Sequence, residues 1–407
     1  MSIKERFEIP SGSRMWSMGL MITGIISLIV GYFVYGTGDE AHQIRFWAAL
    51  LQNSVYFLLV VNAAMFFFCA VTLAWGGFQM AFRRVTEAIS ACVPVIGGIT
   101  FVILMCLVIG HKTFIYEWLD KAKVEADPVL NGKKGFLNPT FFLIWTTLTI
   151  GLWTVLGYKM RSLSRELDDH PLNVEEGKKY IWKNTVWAAL YIVWFALTVA
   201  STVPWLWLMS INAHWFSTMY SWYTFASTFV AGVALMTLFI IYVKNKGYLE
   251  YVNIEHLHDL GKFQFAFSVF WTYLWFSQFM LIWYANIPEE TIYFKPRFEG
   301  AYTGIFYLNL VINFLAPLLI YMRRSSKRNY AILTIMSVAL LFGHWLDFYQ
   351  MIFGSLVPDH VPLNLFDFGI AAGFVGLIIF QTSRVLAKYP LVAKNHPFFK
   401  ESIIHYT

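Results

Sequence analysis

Ten separate stretches of this chain are each about 20 residues or longer and apolar enough to cross a hydrocarbon core about 30 Å thick. They run 15–36, 50–74, 89–110, 139–158, 184–208, 218–243, 263–285, 303–322, 330–350 and 366–387, and the start of the second can slide toward Phe46. A backbone in lipid has to satisfy its hydrogen bonds within each crossing segment, so the pattern predicts an all-α polytopic membrane protein forming a single integral domain over 1–407. The longest connections, 111–138 and 159–183, are mixed-charge and too short to bury a core of their own.

Composition agrees. Hydrophobic residues make up 58% of the chain and charged ones 13%, against about 25% charged in soluble domains. The net charge of +6 then reads as basic connections rather than a nucleic-acid surface. Alternating the ten segments across a bilayer puts 22 of the 30 Lys and Arg on one side and 8 on the other, which predicts cytoplasmic termini. The short turn YMRRSSKR anchors the last hairpin on the basic side, and the N-terminal MSIKERFEIPSGSR has no cleavable-signal organisation.

The chain reads as cofactor-free. Cys69, Cys92 and Cys106 sit in apolar segments without a Cys-x-x-Cys pattern, so they read as small core residues rather than ligands for a cluster or a covalent haem. Haem b held between helices needs two histidines at matching depth, and only His344 falls inside a span. The other nine, His170 and His214 among them, fall in connections or near the termini.

Polar side chains inside spans are costly in lipid and face a bundle interior, a partner or a hydrated route. Asn53, Asn62, Gln278, Asn309, Asn313, His344, Asp347 and Asp367 are of this kind. His344, Asp347 and Gln350 share one helix face by spacing, and a histidine beside a carboxylate can pass a proton. The competing reading makes these residues helix–helix glue. Pro317 predicts a kink beside Asn313.

Two further stretches stand out. WLWLMSINAHWFSTMYSWY, 205–223, carries no Asp, Glu, Lys or Arg, and reads as a re-entrant or interface-lying loop in which His214 and Trp215 face a partner, a quinone headgroup or lipid. SQFMLIWYANIPEE, 277–290, closes a span with Trp283 and Tyr284 and stops it at Asn286-Ile-Pro, where Glu289 and Glu290 reach water. From these residues we expect Gln278, His344, Asp347 and Asp367 to border a proton path, with Tyr284 and Glu289 at its outer exit and Glu87 as an inner candidate.

WFSQFMLIWYANIPEE together with GHWLDFYQMIFGSLVP, 343–358, resembles the NrfD/PsrC-like family of quinone-linked membrane subunits. WLWLMSINAHWFSTMYSWY looks like the mark of one branch, the F subunits of alternative complex III, a quinol:cytochrome c oxidoreductase of bacterial inner membranes. The resemblance implies two four-helix bundles plus two further helices, and no redox centre on this chain. It also implies a paralogous quinol-binding subunit, a multihaem cytochrome c subunit, an iron–sulfur subunit and small membrane-anchored subunits as partners. Quinol, c-type haems and iron–sulfur clusters would then belong to those partners, and this chain would give support and a proton route. A pure scaffold and a secondary transporter are the alternatives; the latter is expected to show internal repeats, and no motif recurs.

Overall fold

A computed structural model describes residues 6–168 and 171–406; Lys4 and His170 lie outside the described residues. All regular structure among those described is helical, and ten helices are long and apolar enough to cross a membrane. They are α1 (Ser11–Gly36), α2 (Glu40–Leu73), α3 (Arg83–Ile109), α4 (Pro139–Arg165), α5 (Val174–Asn212), α6 (Met219–Asn245), α7 (Ile254–Ala285), α8 (Thr303–Tyr321), α9 (Tyr330–Leu356) and α10 (Leu365–Lys388).

Most helices outrun the apolar stretch that reveals them. Hydropathy measures the hydrocarbon thickness, whereas capping side chains set where a helix begins. Asp39 accepts from the His42 N–H to start α2, Asn173 and Glu176 form a reciprocal cap on α5, and Asn253 does the same with His256 on α7. At its other end α7 stops on Asn286, which adopts the left-handed conformation (φ 49°) that terminates a helix just before Ile287-Pro288.

The packing separates two four-helix bundles. Helices α2 to α5 form one ring and α6 to α9 the other, joined where α2 meets α6 and α9 and where α5 meets α6. The apolar stretches of α2 and α6 are each 83% buried and that of α1 only 11%, which sets the centre and the edge of the molecule. Outside both bundles α1 pairs with α10 along small residues, Gly24 against Gly373 and Ser27 against Gly369. A Cβ built on Gly24 would sit 2.4 Å from the Gly373 Cα, so only glycine permits this approach of the two backbones.

The tryptophan-rich stretch departs from the loop expected for it. Helix α5 continues through π-helical turns at Thr198–Thr202 and Pro204–Leu208 and a tight 3₁₀ turn at Met209–Asn212, leaving only residues 213–218 outside a helix. Its indoles act as pins: Trp207 is fully buried and donates to Thr146 Oγ1 at 3.0 Å. With no charge to carry into water, the segment stays against the bundle.

Candidate functional site

The interior of the second bundle holds a carboxylate surrounded by donors. Asp347 on α9 is fully buried, and its Oδ2 accepts from Ser227 Oγ at 3.0 Å and from Trp271 Nε1 at 3.0 Å. Its Oδ1 accepts from Gln350 Nε2 at 3.1 Å and from the Tyr223 hydroxyl. Tyr223 and Ser227 lie four apart on α6 and so face the same way, while Trp271 comes from α7. One side chain therefore ties three helices.

His344 joins through Ser227, whose Oγ lies 2.9 Å from His344 Nδ1. The imidazole meets the Trp271 ring edge to face at 5.5 Å, and its Nε2 is buried with no hydrogen-bond partner among the described residues. Neither amide atom of Asn309 or Asn313 on α8 has a partner there, nor does Ser268 Oγ on α7. Asn313 lies against Gly343, where a Cβ would come 2.1 Å from its Oδ1. It also sits within the π-helical turn Val311–Leu315 that precedes Pro317. Proline has no N–H to donate, so the kink expected from sequence takes the form of this widened turn.

Polar residues continue toward the end that carries both termini. Gln264 on α7 donates to Thr237 at 2.9 Å and to Ser337 at 3.0 Å, and accepts from the Tyr321 hydroxyl at 2.7 Å. At the distal end the Gln350 carbonyl accepts from Arg297 at 2.8 Å, and the same guanidinium reaches the Met351 carbonyl and Ser355 Oγ, each at 3.0 Å. Buried Arg297 thus adds a second bond to carbonyls of the penultimate turn of α9 and fastens the connection before α8 to that helix. Above it Tyr293 covers the guanidinium at 3.6 Å, and Trp215 stacks on Tyr293 at 4.1 Å.

Of the residues expected on sequence grounds, His344 and Asp347 converge. Gln278 is buried on the same face of α7 as Trp271, seven residues and about 10 Å further toward the distal end, with no hydrogen bond to Asp347 or His344. Asp367 lies apart: it pairs with Arg45 at 2.8 Å, accepts the Asn364 N–H at 2.9 Å and fastens α10 to α2. Glu87 belongs to the first bundle, paired with Arg83 at 3.1 Å and Arg84 at 2.9 Å. Tyr284, 84% exposed, and Glu289 lie on the distal surface. Trp215 is 2% exposed and donates to the Glu290 carbonyl at 3.1 Å, so it covers the bundle rather than facing outward.

His214 lies beside it, its Nε2 2.5 Å from Asp127 and its Nδ1 3.2 Å from Glu117, while Lys133 donates to the neighbouring Ala213 carbonyl at 2.5 Å. The hydrogen bond to Asp127 raises the imidazole above its ordinary value near 6.5, outweighing burial, and Glu117 adds to the rise. A histidine raised on folding holds its bridge fully below its unfolded value and loses it as pH climbs through the folded one. Protection against hydrogen exchange in residues 117–127 and 213–218, taken relative to the intrinsic rate at each pH, is therefore expected to be greater at pH 6 than at pH 8.5, and the His214→Gln protein to lose that difference. Equal protection at the two pH values would refute the bridge.

Sequence reasoning missed Tyr223, Ser227, Trp271, Gln264 and Arg297. The one usable signal was the hydroxyl stripe Tyr223, Thr224, Ser227 and Thr228 on an otherwise apolar α6. No protein-family model matches the chain, and neither does any curated protein.

Proposed function

We propose that this chain is the cofactor-free membrane subunit of a respiratory quinol oxidoreductase delivering electrons to cytochrome c or another periplasmic acceptor, and that its second bundle passes protons. In this reading it lies in a bacterial inner membrane with both termini cytoplasmic. Its partners are a quinol-binding paralogue, a multihaem cytochrome c subunit, an iron–sulfur subunit and small anchored subunits.

The observation that carries the proposal is the buried chain Asp347–Ser227–His344. A serine hydroxyl both donates and accepts. With the proton on His344, the imidazolium carries an N–H on both nitrogens; Nδ1 donates to Ser227 and Ser227 donates to the Asp347 carboxylate. With the proton on Asp347, the carboxyl donates to Ser227, Ser227 donates to Nδ1, and Nε2 carries the imidazole N–H. Reversing the two bonds transfers one proton, and neither helix needs to move. Gln264, Ser268 and Asn313 extend the polar interior one way and Gln350 and Gln278 the other, with water spanning gaps beyond direct contact. Tyr284 and Glu289 then mark the exit.

The scaffold reading keeps one observation of its own: four donors on Asp347 also tie α6, α7 and α9 together. The two separate in an Asp347→Asn complex reconstituted in vesicles. A relay predicts assembly and quinol oxidation with a lower proton yield per electron. An unchanged yield would leave Asp347 a strut.

A further inference from the structure

A long groove separates the two bundles on the side where α10 crosses them. Tyr56 and Val60 of α2, Leu238 of α6, Leu341 of α9 and Val375 of α10 are among its walls, and its volume is about 830 Å³. On α10 it extends from Phe368 to Ser383, fifteen residues or about 22 Å of helix, the length of an extended acyl chain.

Its chemistry is polarised. The polar groups in the walls are already engaged, the Tyr56 hydroxyl with the Leu341 carbonyl at 2.7 Å and the Trp345 indole with Asn53 at 2.9 Å. At the terminal end the lining changes to Ser13, Trp16, Lys246 and Ser383. Lys246 is exposed at the last turn of α6, its ammonium 5.8 Å from the Tyr242 ring, and no carboxylate lines the groove. This is also the end at which the alternation of spans gathers most Lys and Arg. A second groove, about 990 Å³ between α1, α2, α3 and α10, has no charged residue in its lining and supplies a contrast within the same molecule.

We infer that the groove between the bundles binds one anionic glycerophospholipid, with its acyl chains along α2 and α10 and its phosphate at Lys246. A lipid there fills the seam between α2, α6, α9 and α10, and Trp16 supplies an aromatic ring at headgroup level. One lysine near an anionic headgroup favours it about five-fold.

The test is native mass spectrometry of the full-length protein in mild detergent, followed by titration of delipidated protein with phosphatidylglycerol and with phosphatidylcholine of the same acyl chains. The expected result is about five-fold tighter binding of phosphatidylglycerol, loss of that preference in Lys246→Glu, and loss of both lipids from this site in Val375→Trp, which fills the groove. Equal binding of the two lipids by the unmodified protein, a preference that survives Lys246→Glu, or a copurifying quinone displaced by Val375→Trp would each overturn the assignment.

Discussion

Replacing Asp347 with leucine is expected to lower stability by roughly 2–6 kcal/mol, about 1–3 for each buried donor left without an acceptor. Four groups donate to this carboxylate, and they are not equally adaptable. The hydroxyls of Tyr223 and Ser227 can rotate toward other acceptors, but the Trp271 indole and the Gln350 amide are fixed, buried donors that leucine leaves without an acceptor. Since the whole folding free energy of a protein is roughly 5–15 kcal/mol, most of the protein should be lost during detergent extraction. Asparagine at the same position keeps one carbonyl for two of the donors and is expected to cost far less. Thermal unfolding followed by size-exclusion chromatography measures both, and a leucine variant that melts with the unmodified protein would show that the four bonds hold nothing together. Once thermal unfolding shows the asparagine variant folded, its proton yield can be read without confusion between a broken bundle and a broken relay.

How much of this could be read from the chain varies with the kind of interaction. The ten crossings were legible because the bilayer imposes one length on every segment, and the pairing of His344 with Asp347 was legible because both lie on one helix, where spacing fixes the face. Ser227 was not, since it lies 117 positions before His344 and no spacing rule links separate helices. Arg297 misled for another reason. In the sequence it stands in a charged loop with Lys295, yet the short helix Lys295–Phe298 turns it inward onto the Gln350 and Met351 carbonyls of α9. Arg45 likewise counted as a loop charge and instead lies in α2, bonded to Asp367. Trp215 was visible as an anchor, but whether an indole faces lipid, partner or its own bundle depends on Tyr293, which lies 78 residues further along the chain.

Glu87 illustrates a buried carboxylate with a different duty. It accepts from Arg83 and Arg84 and from the Ser164 hydroxyl, and Arg84 also reaches Asp168. Two cations are thus set against two carboxylates by direct bonds. Arg83 is fully buried and Arg84 4% exposed, so Glu87→Ala strands an uncompensated positive charge and is expected to cost about 3–5 kcal/mol. His396 beside Arg83 does not offset that charge: it is pushed down to about 2 by burial and the two guanidiniums, which leaves it neutral and accepting through Nε2 at 3.1 Å. Removing one cation as well, in Glu87→Ala with Arg83→Met, should recover part of the loss by restoring the balance. Thermal unfolding of the single and double variants checks this, and a double variant less stable than Glu87→Ala would refute the charge argument. Glu87→Gln retains an acceptor for Arg83 and Arg84, so it should assemble at reduced stability; because it lies in the first bundle, apart from Asp347 and His344, its complex should keep the full proton yield per electron that Asp347→Asn lowers.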